Sequence, residues 1–252
     1  MNLTLYANRL SQPCRAVEIL LRELDVPYTW HEVDFANGQA REPWFAERIN
    51  AFKTIPALLE TADDDPTMNA DFRLGESHAI QRYICRQADN QEKARCWYPG
   101  EHDSHRAAKI DQWLAWHHGN IRCHDTFHDI MNLHLTLPML KYELQQTRIR
   151  PLQERLKSSL ALLENHFKHQ DASAITLCGS KHSSLADLSM VCELYQIIAI
   201  GYRFPGYPRV ARWIDAIASR PHFQDVSSEI IAQGRSIREQ SGGYLDLEHT
   251  FI

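Results

Sequence analysis

The chain has 252 residues, 44% hydrophobic and 23% charged, with 27 Lys+Arg against 32 Asp+Glu and a formal net charge of -5. That balance describes a globular protein long enough to bury a core without disulfide or metal support. A mildly acidic chain whose basic residues are scattered, with no basic stripe, argues against nucleic acid as a partner.

Leu3, Leu5 and Ala7 alternate with Thr4 and Tyr6, which predicts a short first strand. Ser11-Gln12-Pro13-Cys14 then opens a helical pattern through Ala16, Ile19, Leu20 and Leu24, which Val26-Pro27 closes. Tyr28 to Phe35 alternates again as a second strand, and Asn37-Gly38 makes a turn before a short helical piece at Glu42 to Arg48. Ile55-Pro56-Ala57-Leu58-Leu59 reads as a strand opened by proline, which belongs at a strand start or an edge because it donates nothing to a sheet ladder. An acidic loop from Ala62 to Ala70 leads to a last strand at Phe72 to Leu74. Gly75-Glu76-Ser77 then precedes a helix through Ile80, Tyr83 and Ile84.

The order β-α-β-α-β-β-α fills residues 1–87, an expected first domain. The polar stretch 88–102, which contains Tyr98-Pro99-Gly100, reads as a linker. Residues 103–252 show almost no strand signal and predict an all-helical second domain. His105 to Leu133 reads as one long helical stretch with Ile110, Trp113, Leu114 and His117 on one face. Leu152, Leu156, Leu160, Leu163 and Phe167 keep a helical seam, and Ser184-Leu185-Ala186-Asp187 opens a further helix. Pro208 to Ala218 and about His222 to Gly234 predict two more helices before the tail from Arg235 to Ile252.

The 6 cysteines, Cys14, Cys85, Cys96, Cys123, Cys178 and Cys192, are widely and irregularly spaced. Such spacing does not make a disulfide framework and predicts reduced thiols in a cytoplasmic compartment. Met1 to Ala7 does not read as a signal peptide, and no apolar run approaches the ~18 residues of a membrane span, so no membrane partner is expected.

Three places could carry chemistry. Ser11 sits where a strand ends and a helix begins, so unpaired backbone N–H groups and the positive end of the helix dipole meet at its hydroxyl. An anion is stabilised there, and a thiol's pKa falls from its usual ~8.5. Capping alone would also account for a serine at that position. The spacing Ser11-x-x-Cys14 is a C-x-x-C redox motif with serine in the nucleophile's place, which removes dithiol chemistry but leaves thiolate binding open. Ile55-Pro56 is a candidate cis peptide whose flanking backbone groups could pair with an extended peptide; an ordinary edge proline is the alternative. Glu76-Ser77, at another helix start, could hold the ammonium and carboxylate of an α-amino acid, or simply cap the helix.

Taken together, Leu10-Ser11-Gln12-Pro13-Cys14-Arg15-Ala16, Val33-Asp34, Gly38-Gln39, Ile55-Pro56-Ala57-Leu58 and Glu76-Ser77-His78-Ala79-Ile80 resemble the glutathione transferase superfamily, most of all its theta class. Asp111-Gln112-Trp113-Leu114-Ala115-Trp116-His117 is similar to the theta helix that borders the active site, and Ser184-Leu185-Ala186-Asp187-Leu188 to the family's capping box. The resemblance implies a thioredoxin-like α/β domain with a mixed four-stranded sheet, an all-α C-terminal domain and a homodimer. It implies that Ser11 stabilises the glutathione thiolate, that Ile55 and Pro56 bind the cysteinyl backbone, and that Glu76 and Ser77 bind the γ-glutamyl end. Asp111 would help hold the γ-glutamyl amine across the dimer, Lys53 and Arg41 would meet the glycine carboxylate, and Gln12 and Gln39 would be peptide partners. Leu10, Trp113 and His117 would line the electrophile pocket. Ala40-Arg41 stands where theta enzymes typically carry His-Lys, Asn50-Ala51 replaces the usual Asn-Pro, and the acidic insert Asp63 to Asp71 is longer than usual.

The implied activity is addition of glutathione, the co-substrate, to small hydrophobic electrophiles. A non-catalytic binding or scaffold protein is the alternative, followed by a glutathione-dependent thiol reductase or peroxidase. No metal is expected: His124 and His128 are four apart, but no Glu completes a metal-binding motif. Trp113 and Trp116 fit a core stripe better than a stacking platform. Asp63, Asp64 and Asp65 lack the glycine and terminal glutamate of a calcium loop.

Overall fold

Strand β1 (Asn2–Ala7) buries Leu3, Leu5 and Ala7. It sits inside a four-stranded sheet of order β2-β1-β3-β4, with β2 at Thr29–Glu32, β3 at Ala57–Thr61 and β4 at Phe72–Leu74. The computed structural model describes residues 2–35, 37–61, 72–122, 146–170, 175–199 and 201–240. The stretch 62–71, which holds the acidic insert, and Cys123, His124, His128, His134, Pro138 and the tail beyond residue 240 lie outside the described residues.

β1 pairs parallel with β2 and antiparallel with β3, and β3 pairs antiparallel with β4. The register sets Tyr6 opposite Ala57 and Leu58 opposite Leu74. β1, β2 and β4 therefore all run toward one end of the sheet, and β3 starts there. This mixed sheet, with helices α1 (Gln12–Glu23), α2 (Pro43–Arg48) and α3 (Ser77–Gln87), gives the expected β-α-β-α-β-β-α order.

Helix α1 buries nearly its whole length, including three charged residues, Arg15, Glu18 and Glu23. Glu18 is tolerated there because three donors converge on it: Arg9 at 2.7 and 2.9 Å, Arg22 at 2.6 Å and Tyr28 at 3.0 Å. A buried carboxylate with that many partners is held in place, whereas removing one partner typically costs several kcal/mol. The same bond to Glu18 holds the Arg9 guanidinium further into its charged form, and burial lifts the Tyr28 phenol above its ordinary range.

The chain divides into two compact units, Met1–Asp103 and Ser104–Ile252. The segment read as a linker is not bare loop, since helix α4 (Gln91–Trp97) occupies its middle. Asn90 caps that helix by accepting from Lys93 N at 3.0 Å, and Ala94 and Trp97, three apart, turn one face inward.

In the second unit, α5 (Ser104–His117) passes into a wider helical turn at His118–Arg122, and the rest of the predicted helical stretch, 123–133, lies outside the described residues. Gly119, a poor helix former, lies in that turn. Helix α6 (Gln146–His166) presents Leu156, Leu160 and Leu163 to the core. Helix α7 (Leu185–Ala199) is buried on almost every side. Its start is the reciprocal box read from Ser184 and Asp187: Asp187 accepts from Ser184 N at 2.7 Å and from Ser184 Oγ at 2.6 Å. Asp187 also accepts from Leu177 N at 2.8 Å and from Trp213 Nε1 at 2.9 Å. Trp213 belongs to α8 (Pro208–Ala218). The predicted last helix is two helices, α9 (Pro221–Val226) and α10 (Ser228–Gln240), with buried Ser227 between them.

Candidate active site

The sheet register gathers the sequence candidates of the first unit at one end of the sheet. β1 ends at Ala7 and delivers the loop 8–11; β3 begins at Ala57, directly after Ile55-Pro56; β4 ends at Leu74, just before Gly75, Glu76 and Ser77. Val33 N donates to Ala7 O at 2.8 Å, which brings the chain after β2, and with it Gln39 to Arg41, to the same end. Helices α1 and α3 both start there. Two helix N-termini thus bring unpaired N–H groups and positive dipole ends to one surface.

Ser11 is the N-cap residue of α1, in extended conformation, and its carbonyl accepts from Arg15 N at 3.1 Å. Its side chain makes no capping bond, and among the described residues no hydrogen bond engages its hydroxyl. The capping explanation for this serine therefore fails. A half-buried hydroxyl at a positive helix end remains, able to donate to an anion.

The loop that carries Ser11 is fastened from both sides. Asn8 Oδ1 accepts from Leu10 N at 3.0 Å, while Asn8 Nδ2 donates to Glu32 Oε1 at 2.6 Å and to Val33 O at 3.2 Å. Arg15 donates to the carbonyls of Arg9 and Leu10 at 2.8 and 3.2 Å. Leu10 is half-buried. Cys14 is fully buried, as packing of a small apolar residue would have it, and so cannot meet an external disulfide.

The Ile55–Pro56 bond is cis. The Ile55 side chain packs against a cluster of Val33, Ala40, Phe45, Ile49 and Ala57. Among the described residues no hydrogen bond engages its N–H or C=O. Glu76 is the exposed N-cap of α3 at φ 65, and its side chain does not cap the helix; Ser77 is the first helical residue, half-buried. Lys53, exposed, has φ 58. Non-glycine residues in such conformations cost about 1–3 kcal/mol and gather at functional sites.

The remaining candidates differ in how free they are. Gln39 Oε1 accepts from Asp34 N at 2.6 Å, so its oxygen closes its own loop and its amide N–H groups are what it can offer a ligand. Arg41 is exposed, while Ala40 is part of the buried cluster, so position 40 faces the core and is no place for the typical basic residue. Gln12 is half-buried beside Ser11.

In the second unit, Asp111 is half-buried on α5. Trp113 packs edge-to-face against Trp116 at 5.4 Å and against His166 at 4.7 Å between ring centroids, the packing role that a helical stripe suggests. His117 is 2% exposed, with Nε2 3.5 Å from the carboxylate of Glu193. The helical period that puts His117 on the face of Ile110 and Leu114 also puts it in the core.

Comparison with known proteins reads this arrangement. Residues 5–92 match the family model "Glutathione S-transferase, N-terminal domain", and residues 142–216 match "Glutathione S-transferase, C-terminal domain". Human glutathione S-transferase theta-1 is 33% identical over 240 residues, covering 92% of this chain and 90% of the relative. The chain belongs to the glutathione S-transferase family. A crystal structure of human glutathione transferase theta-2 in complex with glutathione superposes with a TM-score of 0.77 at 28% identity, covering 95% of this chain and 91% of that one. A human theta-class transferase in complex with the glutathione conjugate of 1-menaphthyl sulfate gives 0.76 at 26% identity, covering 96% and 92%.

Asn8 and Arg15, which carry no chemical signature in the sequence, are the residues that fasten the loop ending in Ser11. A loop asparagine is ordinary until its partner is known.

Proposed function

We propose that this glutathione transferase binds glutathione across the end of the sheet, ionises its thiol at Ser11 and transfers the thiolate to small hydrophobic electrophiles. The uncapped hydroxyl of Ser11 carries the proposal. It donates to sulfur while the N-terminus of α1 supplies the positive field, and both favour thiolate over thiol. The free N–H and C=O of Ile55 pair with the cysteinyl backbone as a short added strand. The start of α3 and the Ser77 hydroxyl take the γ-glutamyl carboxylate, and Glu76 takes the ammonium. Lys53 and Arg41 meet the glycine carboxylate; Gln12 and the amide of Gln39 hold the peptide. The expected setting is a cytoplasmic homodimer.

The step forms a C–S bond and breaks the bond from that carbon to its leaving group, which departs with the electron pair; the thiol proton goes to solvent. No covalent enzyme intermediate is involved, and the rate gain comes from thiolate supply and proximity. The two human theta structures support the reading, since one is bound to glutathione and the other to a glutathione conjugate. Buried Cys14 disfavours a thiol reductase.

Retention on immobilised glutathione, followed by conjugation of nitrobenzyl chloride, tests the proposal. Retention with release of chloride is expected. Retention without turnover would leave a binding protein, and absence of both would remove the glutathione site.

A further inference from the structure

Asn50 is buried at 6% exposure although it lies in the loop between α2 and the cis-proline step. Its own N–H donates to Phe45 O at 2.9 Å, which ties it to α2. Its side chain then wraps the loop around itself. Nδ2 donates to Thr54 O at 2.8 Å and to Thr54 Oγ1 at 3.2 Å, Oδ1 accepts from Phe52 N at 3.1 Å, and the carbonyl accepts from Lys53 N at 2.9 Å. The segment 50–54, which hands the chain to Ile55-Pro56, is thereby folded on one carboxamide.

The same carboxamide touches the other half of the site. A β-carbon at Gly75 would stand 2.9 Å from Asn50 Oδ1, 3.0 Å from Nδ2 and 3.2 Å from Cγ. Those distances are inside van der Waals contact, which for carbon lies at about 3.5–4.0 Å. The carboxamide cannot turn aside cheaply, because both of its ends are committed to hydrogen bonds. Gly75 is thus the residue that lets the chain entering Glu76-Ser77 rest directly on the plate that shapes Lys53 to Ile55.

We propose that Asn50 and Gly75 form a brace that sets the spacing between the Ile55-Pro56 step and the Glu76-Ser77 helix start, and that this spacing governs affinity for the glutathione peptide while leaving the reactivity of its thiol unchanged. The proposal rests on the reading of Ile55, Glu76 and Ser77 as peptide-binding positions. Both residues are positioning residues. Ser11 is carried by the separate loop 8–11, fastened by Asn8 and Arg15, so the sulfur site stays intact when the brace is loosened.

The test compares the full-length protein with Gly75→Ala, Asn50→Ala and the double variant. Glutathione affinity is read by titration calorimetry, and KM and kcat with nitrobenzyl chloride. Inserting a methyl group that displaces the 75–77 segment by roughly 0.5 Å should weaken glutathione binding about tenfold and raise KM alike. At saturating glutathione, kcat should stay within about twofold, and its pH dependence should not move. Asn50→Ala removes the plate that the new methyl group strikes, so adding it to Gly75→Ala should cost less than it costs alone. Should Gly75→Ala fail to fold, Asn50→Ala and Thr54→Val carry the same measurement, since neither inserts atoms. Unchanged affinity in folded variants beside a wild-type protein that binds glutathione overturns the brace alone. So does a fall in kcat equal to the rise in KM, or strict additivity of the two changes. A wild-type protein that does not bind glutathione overturns the reading of the site itself.

Discussion

The guanidinium of Arg15, buried in the first turn of α1, donates to the carbonyl of Arg9 at 2.8 Å and so reaches back over the loop that ends in Ser11. Its second bond, to Leu10 O at 3.2 Å, fixes the peptide just before the serine. Arg15→Met would keep the volume and leave both carbonyls without this donor. The expected loss is about 2–4 kcal/mol in urea unfolding, since a charged donor to buried acceptors is removed. Turnover at saturating glutathione should fall about tenfold, because Ser11 loses its fixed position. Arg15→Lys, which can reach one carbonyl at a time, should recover part of the stability. Full activity in a folded Arg15→Met would show that the loop holds its shape without this side chain.

Ser11→Ala should leave glutathione affinity within about threefold while moving the ionisation of the bound thiol. The reactive species is the thiolate, so the conjugation rate rises with pH through the thiol pKa. The helix end and the hydroxyl together should hold that pKa about two units below the usual ~8.5. Loss of the hydroxyl should raise it by about one unit, with the rate near pH 6.5 reduced about fivefold and the deficit shrinking as alkaline pH ionises the thiol unaided. The ultraviolet absorbance of the bound thiolate gives the same midpoint without turnover. An identical pH profile in the variant would remove Ser11 from the mechanism.

The parts of the site that are local in sequence were legible there. Ser11-Gln12-Pro13 announces a helix start, Ile55-Pro56 a strand start, and Glu76-Ser77 another helix start, because capping preference and proline's missing donor act over a few residues. The sheet followed from alternation, and Ser184 with Asp187 from their spacing. What holds these pieces together was not legible. Asn50 meets Gly75, and Arg15 meets the Arg9 carbonyl, through tertiary contacts that no periodicity encodes. The burial of His117 was not legible for a related reason: a helical face defined by Ile110 and Leu114 does not say whether it meets a core or a cleft. Helix α4 went unseen because its apolar face, Ala94 and Trp97, is two residues in a polar stretch.

Cys85 and Cys178 should be chemically quiet in the folded protein. Burial pushes the Cys85 thiol up to about 12, and burial together with the nearby Asp187 carboxylate pushes Cys178 up to about 11. At pH 8 the thiolate fraction at each is then on the order of one in a thousand or less. Brief iodoacetamide treatment at that pH, followed by peptide mass spectrometry, should leave both unmodified until denaturant is added. Rapid native alkylation of Cys85 would show that α3 opens readily.

Glu164, near the end of α6, supplies the cap that α8 lacks. The residue before α8, Tyr207, makes no side-chain cap. Glu164 instead accepts from Arg209 N at 2.9 and 3.2 Å and from Val210 N at 3.0 Å, and pairs with the Arg209 guanidinium at 2.9 Å. A carboxylate placed on the first free N–H groups of a helix satisfies them and meets the positive end of its dipole. Glu164→Ala should therefore cost about 1–3 kcal/mol, more than an exposed ion pair would, because the orphaned amides lie at the part-buried start of a helix whose inner face, Val210 and Trp213, is in the core. Glu164→Gln keeps an acceptor and should recover roughly half of that loss. Arg209→Ala, which removes only a partly exposed partner, should cost under about 1 kcal/mol. Thermal unfolding of the three variants gives the order, and an Arg209→Ala loss as large as that of Glu164→Ala would place the stabilisation in the ion pair rather than in the cap.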